Sequence, residues 1–259
     1  MGEIMNNYTV FHLHTEQSLL DSCTNYKMYV DLAKKYGQSA IAFTEHGNIY
    51  SWLDKKMYCD ENDIKYIHGV ECYLTESLSE KVRDNYHTIL LAKNYDGFKE
   101  LNRLIDVSTQ EDHFYYKPRI TFDEFFNTSD NIIKISACLA SPLSRRDRLT
   151  DDSLLERLVN KYDYLEIQPH TNSDDQKEYN LYLLETSKQY NKPLICGTDT
   201  HSANKYKSEC RSILQKAKHI EFSDEDVFDL TYKSYEELVD MFKKQGCLEE
   251  NVYLEAIEN

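Results

Sequence analysis

Phe11-His12-Leu13-His14 places two histidines two positions apart, directly after an apolar run that begins at Tyr8. Side chains at positions i and i+2 of a strand point to the same face. If this segment is a strand, both imidazoles project together from near its C-terminal end, which is how a metal site can begin. The pair by itself is equally compatible with two polar residues on a solvated face, so the rest of the sequence has to decide.

Short apolar runs alternate with helical patterns along the whole chain. The runs that predict strands are 9–13, 39–44, 65–70, 87–92, 131–137, 164–168 and 193–198. Apolar stripes of helical period predict helices at 25–36, 51–62, 95–108, 151–162, 174–190, 205–218 and 234–245, and a short one from about residue 249. Seven such alternations favour parallel β/α units, so the predicted fold is a distorted, TIM-like (β/α)7 barrel of parallel strands.

Bulk composition limits the class of protein. The chain has 259 residues and a formal net charge of −15, which argues against strong autonomous nucleic-acid binding. It does not exclude a nucleic-acid substrate whose phosphates meet bound metal ions. The 7 cysteines are scattered without a C-x-x-C pair, as expected of a reduced, cytoplasmic protein. We see no secretion signal and no membrane-spanning run, and we therefore expect no membrane partner.

Ligand-competent side chains lie where the predicted strands end, which is where barrel enzymes carry their chemistry. They are His12, His14, Asp21, Glu45, His46, Glu71, Cys138, His170, Asp199 and His201. His87 is the exception, because it falls at the start of its predicted strand. Imidazole, carboxylate and thiolate suit zinc, manganese or iron. The set is too large for one tetrahedral ion, so we expect two or three divalent ions, with Glu71 bridging.

Phosphate-ester hydrolysis is the chemistry that uses neighbouring metal ions in this way, since they activate water and hold phosphate oxygens. A serine-hydrolase elbow and a phosphate-binding P-loop are both absent from the sequence. Lys117, Arg119 and His170 are candidate substrate contacts, although an ion pair or a loop histidine explains each equally well. Arg145, Arg146 and Arg148 are interpreted as solvated.

Several motifs together resemble one known family. They are His12-Leu13-His14, Thr44-Glu45-His46-Gly47, Gly69-Val70-Glu71, His87, Cys138-Leu139-Ala140 and Asp199-Thr200-His201. These resemble the PHP (polymerase and histidinol phosphatase) domain family. Within it the chain looks most like the N-terminal PHP domain of the bacterial C-family replicative polymerases, the DNA polymerase III alpha subunits. The segments that carry this closer likeness are Ser18-Leu19-Leu20-Asp21, Phe114-Tyr115-Tyr116-Lys117-Pro118-Arg119, Ser136-Ala137-Cys138-Leu139-Ala140 and Leu230-Thr231-Tyr232-Lys233-Ser234-Tyr235-Glu236-Glu237.

The resemblance implies three metal sites. The first would be His12, His14, Glu71 and Asp199; the second Glu71, His87 and Cys138; the third Asp21, His46 and His201. It also implies a metal-dependent 3′–5′ exonuclease in which His12, His14, Glu71, His87, Asp199 and His201 would be catalytic, with DNA and replicative polymerase components as partners. Glu45 departs from the aspartate usual in the family, and we expect it to orient His46.

The resemblance further implies that 1–259 is one PHP domain, with 220–259 an extension leading towards a polymerase body that this chain lacks. This extension includes the acidic, loop-like stretch 221–229. We therefore expect no polymerase activity, from either an excised domain or a free-standing relative. Two alternatives stay open. One is a small-molecule phosphatase of the histidinol-phosphatase kind, and the other is a metal-stabilised, non-catalytic docking domain.

Overall fold

The computed structural model describes residues 8–79, 81–219 and 228–259. Its strands are β1 (Ala40–Phe43), β2 (Lys65–Thr75), β3 (Tyr86–Ala92), β4 (Arg119–Thr121), β5 (Ile132–Ile135), β6 (Leu165–Ile167) and β7 (Leu194–Cys196). Its helices are α1 (Tyr26–Lys35), α2 (Trp52–Glu61), α3 (Tyr95–Ser108), α4 (Phe122–Phe126), α5 (Asp152–Lys161), α6 (Asp174–Tyr190), α7 (Lys205–Ala217), α8 (Tyr235–Gln245) and α9 (Glu250–Glu258). A 3-10 turn covers Arg146–Arg148. Most of the predicted 221–229 connection lies outside the described residues.

The predicted helices are confirmed, and so are the last six predicted strands, but three local assignments change. The first predicted strand, 9–13, pairs through the isolated bridges Val10–Ile41 and Leu13–Thr200 instead of a regular ladder. β4 and α4 were not predicted, since three and five residues are too few to show a period. Both lie between the predicted helix 95–108 and the predicted strand 131–137, where no element was predicted.

The strands are not all parallel, which corrects the predicted barrel. β2 pairs parallel with β1 and β4, whereas β3 pairs antiparallel with β2 and with β5. The physical reason is the connection at 76–85, whose described residues contain no helix. A parallel return needs a crossover of a dozen or more residues, usually helical, so this short connection turns the chain back on itself.

Seven strands were predicted to form one barrel, but the ladders form two sheets. The larger sheet has the strand order β1-β2-β3-β5. The first part of β2 pairs with β1 and its last three residues pair with β4. The smaller sheet is the parallel pair β6-β7. Isolated bridges at Ile135–Tyr164 and Leu13–Thr200 connect the sheets at their ends. Among the described residues the pairing is therefore that of a mixed α/β fold with parallel strands, without one continuous closed ladder.

The strands surround a small apolar cluster that supports the candidate site. It contains Phe11, Ala42, Ile89, Leu91, Ile135 and Ala137, with partly buried Ile67 and Ile195 packed against it. Side chains of a strand alternate between its faces, so Glu71 shares a face of β2 with Ile67, and His87 shares a face of β3 with Ile89. Two candidate ligands are thus held above the same apolar floor. No helix in the described part of the chain is long and apolar enough to cross a membrane.

Candidate metal centre

Glu71 lies at the middle of the candidate site. Its fully buried carboxylate is 3.4 Å from the Nε2 atom of His12 and 3.4 Å from that of His14. It is also 2.5 Å from His46 Nδ1 and 2.7 Å from His87 Nδ1. Two oxygens therefore face four imidazoles that come from three separate parts of the sequence, an arrangement in which one carboxylate can bridge ions.

The antiparallel direction of β3 explains how His87 reaches this site from the beginning of its strand. The register places His87 opposite Tyr73 and Ile89 opposite Glu71. The first residues of an antiparallel strand lie at the same edge as the last residues of its neighbour. His87 therefore did not fit the sequence pattern because the direction of its strand was predicted wrongly, and its position at the site agrees with a ligand role.

His12 is oriented by Glu166, which sequence reasoning missed. The Nδ1 atom of His12 is 2.8 Å from Glu166 Oε1, and both side chains are fully buried. Because the carboxylate can only accept, the proton sits on Nδ1 and the lone pair of Nε2 points towards Glu71 and Asp199. Gly197 makes room for this contact, since a Cβ atom there would fall on the Glu166 carboxylate.

His14 is oriented by a relay of hydroxyl and carboxylate. Ser18 Oγ donates to Glu45 Oε2 at 2.6 Å and is 3.0 Å from His14 Nδ1, so it accepts the imidazole proton. Glu45 is itself held by Lys55, whose Nζ donates at 2.6 Å within a buried ion pair. Glu45 was expected to orient His46. Its carboxylate reaches the ring of His14 through Ser18, whose Oγ also accepts from the His46 backbone N–H at 3.1 Å.

Asp199 and His201 follow β7 and complete the inner part of the site. Asp199 Oδ1 is 3.0 Å from His12 Nε2 and 3.3 Å from His14 Nε2. His201 Nδ1 lies 2.7 Å from the Asp199 carbonyl, to which it donates, and its Nε2 donates to Asp21 Oδ2 at 3.2 Å. All three histidines, His12, His14 and His201, therefore have Nδ1 donating outwards and Nε2 directed towards the candidate ligands.

Asp21 is brought to the site by helix α7. Its Oδ2 is 2.9 Å from His46 Nε2 and 3.2 Å from His201 Nε2. Its Oδ1 accepts from Arg211 Nη2 at 2.5 Å and from Gln215 Nε2 at 3.2 Å. The loop carboxylate is thereby fixed with one oxygen towards the protein and the other towards two imidazoles.

The nine side chains group as three sets of donors. In three combinations the donor atoms all lie within 4.8 Å of one another: His12, His14 and Glu71; Glu71, His87 and Cys138; and His14, His46 and His201. The second combination is the second site implied by the family resemblance. Asp199 joins the first and Asp21 joins the third through the contacts given above.

The buried donors fit metal ions better than they fit one another. Five atoms of the candidate ligands are buried yet make no hydrogen bond to any described residue: His12 Nε2, His14 Nε2, His46 Nδ1, Glu71 Oε2 and Asp199 Oδ1. Buried polar atoms are almost always hydrogen-bonded, and an ion bound at the site is a recognised reason for exceptions. All five point into the same space and are lone-pair donors, so the residues present suit two or three divalent cations.

The pKa shifts keep the carboxylates ionised and His14 neutral. Burial opposes ionisation of Glu71 and Asp199, but the neighbouring imidazoles hold the pKa of each carboxyl well below its usual value. Burial, assisted by the charges of His46 and His201, lowers the pKa of His14 to about 3. Burial opposes protonation of His12, His46 and His201, but the neighbouring carboxylates raise the pKa of all three imidazoles. The pKa of His12 lies well above its usual value, that of His46 is raised to about 10 and that of His201 is raised above its usual value. These three imidazoles would therefore lose a proton on binding a cation. Burial raises the pKa of the Cys138 thiol well above its usual value, so this ligand would need a cation to ionise.

The backbone is strained at three places next to candidate ligands. Leu20, Ala137 and Asp199 have φ angles of 68°, 64° and 46°, in the left-handed region that non-glycine residues rarely adopt. Leu20 precedes Asp21 and Ala137 precedes Cys138. Such conformations cost energy and cluster where the chain must aim a functional group.

An open cavity of about 1090 Å³ adjoins the donors. Its lining includes His46, His87, Cys138, Asp199 and, unexpectedly, the arginines of the 3-10 turn at Arg146–Arg148 together with Arg145. These arginines were predicted to be solvated. Arg146 and Arg148 are exposed and Arg145 is partly buried, and all three also line the wall of the cavity that opens onto the site.

The three predicted substrate contacts have different surroundings. Burial lowers the pKa of Lys117 while Glu71 and Asp21 raise it, so its cation lies within the field of the site. Arg119 is buried, and its Nε donates to the His113 carbonyl at 2.9 Å, which makes it a support for the start of β4. His170 is buried and stacks on Phe228 with ring centroids 4.4 Å apart.

Sequence reasoning missed the residues that hold the donors, namely Glu166, Ser18, Lys55 and Arg211. One of them left a signal. Glu166 interrupts the apolar run Leu165–Ile167, and a carboxylate inside a buried strand is rare unless it is paired. Ser18, Lys55 and Arg211 have ordinary surroundings in the sequence and become recognisable through their contacts.

Comparison with known proteins agrees with this geometry. The family model of the PHP domain matches residues 11–170. The DNA polymerase III alpha subunit of Borreliella burgdorferi is 32% identical over 216 residues, covering 78% of this chain and 19% of that protein. The alpha subunit of Aquifex aeolicus is 31% identical over 216 residues, covering 76% and 18%. The chain thus spans less than a fifth of the length of these curated relatives.

A solved structure shares the fold at low sequence identity. A proposed metal-dependent phosphoesterase from Bifidobacterium adolescentis aligns with a TM-score of 0.52 and 15% identity, covering 75% of this chain and 88% of that one. At this level of identity the likeness concerns the arrangement of strands and helices.

Proposed function

The chain belongs to the PHP domain family, and we propose that it is a metal-dependent phosphoesterase that removes nucleotides from a nucleic-acid 3′ end. The observation that carries the proposal is the convergence of five buried lone-pair donors without hydrogen bonds to described residues. Divalent ions held by the nine-residue set would polarise the phosphoryl group and activate water for attack.

The chain's own contribution is to fix these donors and to surround the phosphate. Glu166, Ser18 and the Asp199 carbonyl each accept an Nδ1 proton and so keep three Nε2 atoms directed inwards, where they would hold a metal ion. Such preorganisation removes the need for reorganisation during the reaction. The Lys117 cation is available to a phosphate oxygen near Glu71.

Nucleic acid is proposed as the substrate because of the sequence relatives. Those named above are DNA polymerase III alpha subunits, and their likeness spans most of this chain. We also propose that residues 1–259 form one PHP domain with 220–259 as its extension, that it acts in the cytoplasm, and that it works beside replicative polymerase components. A distorted seven-stranded barrel is proposed as the description of the fold, because the isolated bridges Val10–Ile41, Leu13–Thr200 and Ile135–Tyr164 link the ends of the two sheets.

The test is hydrolysis of 3′-labelled single-stranded DNA with added Mn²⁺ or Zn²⁺, before and after chelation. We expect stepwise shortening that chelation abolishes and His12→Ala removes. His113→Ala is the matched control, because His113 is bound to Asp112 and Glu124 away from the site. Cleavage by His12→Ala equal to that of the parent would contradict the proposal, as would intact DNA with fully loaded protein.

A second candidate is a phosphatase for a small metabolite, favoured by the size of the open cavity, which also admits a compact monoester. Turnover of histidinol phosphate faster than that of a dinucleotide would support it. A third is a docking domain that binds metal for stability. If chelation lowers the melting temperature of a protein that hydrolyses no ester, the docking role replaces the enzymatic one.

A further inference from the structure

Two arginines of the cavity wall share one carboxylate. Arg145 Nη1 donates to Asp84 Oδ1 at 2.6 Å, and Arg148 Nη1 donates to Asp84 Oδ2 at 2.8 Å. Each oxygen of a single anion is thus held by a different guanidinium. All three residues line the cavity that also exposes His46, His87, Cys138 and Asp199.

The arginine segment is attached directly to the metal centre. It follows Cys138, and its backbone is held by bonds from Ser141 N to the Cys138 carbonyl and from Arg145 N to the Ser141 carbonyl. The Ala140 carbonyl accepts from the backbone N–H of His87 at 2.9 Å. The two guanidinium groups are therefore positioned relative to two candidate ligands by backbone hydrogen bonds.

The charge at this wall is unusual for the chain. The net charge is −15, yet three of the eight arginines (83, 103, 119, 145, 146, 148, 157 and 211) lie within 145–148. Two guanidinium groups face one carboxylate here, and Asp147, Asp175 and Glu178 also line the cavity. Arg146 is turned elsewhere, with its guanidinium 4.0 Å from the Tyr182 ring centre.

A phosphate can displace Asp84 from Arg145 and Arg148 at low cost. The side chains of Asp84 and Arg148 are 60% and 55% exposed, and exposed ion pairs contribute little to stability. Arginine binds phosphate through the same planar donors that hold a carboxylate. A phosphate arriving from the cavity can therefore replace Asp84 without leaving a buried charge unpaired.

We propose that Arg145 and Arg148 form a second phosphate subsite, which binds the phosphodiester next to the one hydrolysed. Asp84 occupies the subsite in the free protein and competes with that phosphate. The inference rests on the proposed phosphoesterase function and makes it more specific. A substrate with two or more phosphates would use both positions, whereas a substrate with one phosphate would use the metal centre only.

The first test compares Arg145→Gln/Arg148→Gln with the charge-matched double variant Arg103→Gln/Arg157→Gln, whose residues lie outside the cavity lining. The substrates are a short single-stranded oligonucleotide and p-nitrophenyl thymidine 5′-phosphate, which has one phosphodiester. We expect kcat/KM for the oligonucleotide to fall at least about tenfold in the cavity variant, mainly through KM. Turnover of the small ester should stay within about twofold of the parent.

Salt dependence gives an independent measurement of the lost contact. Binding of a fluorescent oligonucleotide with phosphorothioate linkages is followed between about 50 and about 200 mM salt. Each phosphate contact to a single strand contributes about 0.7 to the magnitude of the slope of log K against log salt concentration. The slope of Arg145→Gln/Arg148→Gln should therefore be smaller in magnitude than that of the parent by about 0.7. Equal slopes for both double variants would overturn the subsite.

Asp84→Asn distinguishes competition from support. If Asp84 occupies the subsite, the variant binds the oligonucleotide several-fold more tightly than the parent. Weaker binding would mean that Asp84 positions the arginines, and would overturn the proposed competition. If the parent hydrolyses neither substrate, the proposed function fails while the slope measurement still tests the subsite. If the parent hydrolyses both and the arginine variant equals it, the subsite fails and the proposed function stands.

Discussion

Glu166→Gln tests whether metal affinity depends on the orientation of His12. The substitution keeps the shape of a fully buried side chain and removes its charge. In the parent, Glu166 Oε1 faces His12 Nδ1 at 2.8 Å and accepts from Gln168 Nε2 at 2.6 Å. Both bonds are made to one oxygen, and an amide oxygen in its place can still accept both, but a neutral acceptor holds the imidazole tautomer less firmly.

The expected loss follows from the type of bond. Hydrogen bonds to charged groups contribute about 1.5–3 kcal/mol and neutral ones about 1 kcal/mol, a difference of about 0.5–2 kcal/mol. Metal affinity should therefore fall about tenfold, within the range of about 10- to 100-fold known for residues that orient ligands. Gly197→Ala should act in the same direction, since its Cβ would displace the Glu166 carboxylate.

The assay is titration of metal-free protein with Zn²⁺ or Mn²⁺ against a chromophoric chelator, with circular dichroism to verify folding. Glu124→Gln is the matched control, because Glu124 Oε1 is 2.9 Å from a ring nitrogen of His113 outside the metal centre. It should alter thermal stability and leave metal affinity unchanged. If folded Glu166→Gln binds metal as tightly as the parent, the orienting role of Glu166 is refuted.

Three further predictions concern neighbouring interactions. Ser18→Ala should weaken metal binding about tenfold in the same titration, because His14 loses its Nδ1 acceptor; unchanged affinity would contradict the relay. Lys55→Met should lower the free energy of unfolding in urea by about 3–5 kcal/mol, because it leaves Glu45 buried without its cation; a loss below about 1 kcal/mol would contradict this. Burial lowers the pKa of His68 to about 4, so below about pH 6.5 the unfolded state binds a proton that the folded state does not. The free energy of unfolding therefore decreases as the pH is lowered from about 6.5 to about 4. From about pH 7 to about pH 4 the free energy of unfolding of the chelator-treated parent, measured in urea, should fall by about 3 kcal/mol more than that of His68→Gln. An equal fall for the two proteins would refute the assignment.

The direction of β3 shows where reasoning from the sequence was insufficient. Alternating strands and helices predict parallel units, and six of the predicted strands are present. The connection at 76–85 broke the alternation, and its lack of a helical pattern was the available signal for an antiparallel return. The antiparallel direction of β3 accounts for the position of His87 at the site.

The orienting residues show a different limit. Glu45 was expected to act on its neighbour His46, and its carboxylate reaches the ring of His14 through Ser18. A side chain on a short strand has several neighbours within reach, and adjacency in sequence does not select among them. Glu166 reaches His12 across 154 positions, a distance that no local pattern can reveal.

The sequence by itself determined which residue types would meet. His12, His14, Glu71 and Asp199 stand where apolar runs place them on one side of the strands, because hydrophobic periodicity fixes the face that each strand presents. Only the tertiary structure decided which atoms face one another. The Glu166 carboxylate, 154 positions from His12, fixes the orientation of that imidazole, and the backbone hydrogen bond from the His87 N–H to the Ala140 carbonyl holds the segment that leads to the arginines beside the centre. Those choices depend on distances of a few ångströms across the fold, which the order of residues along the chain does not contain.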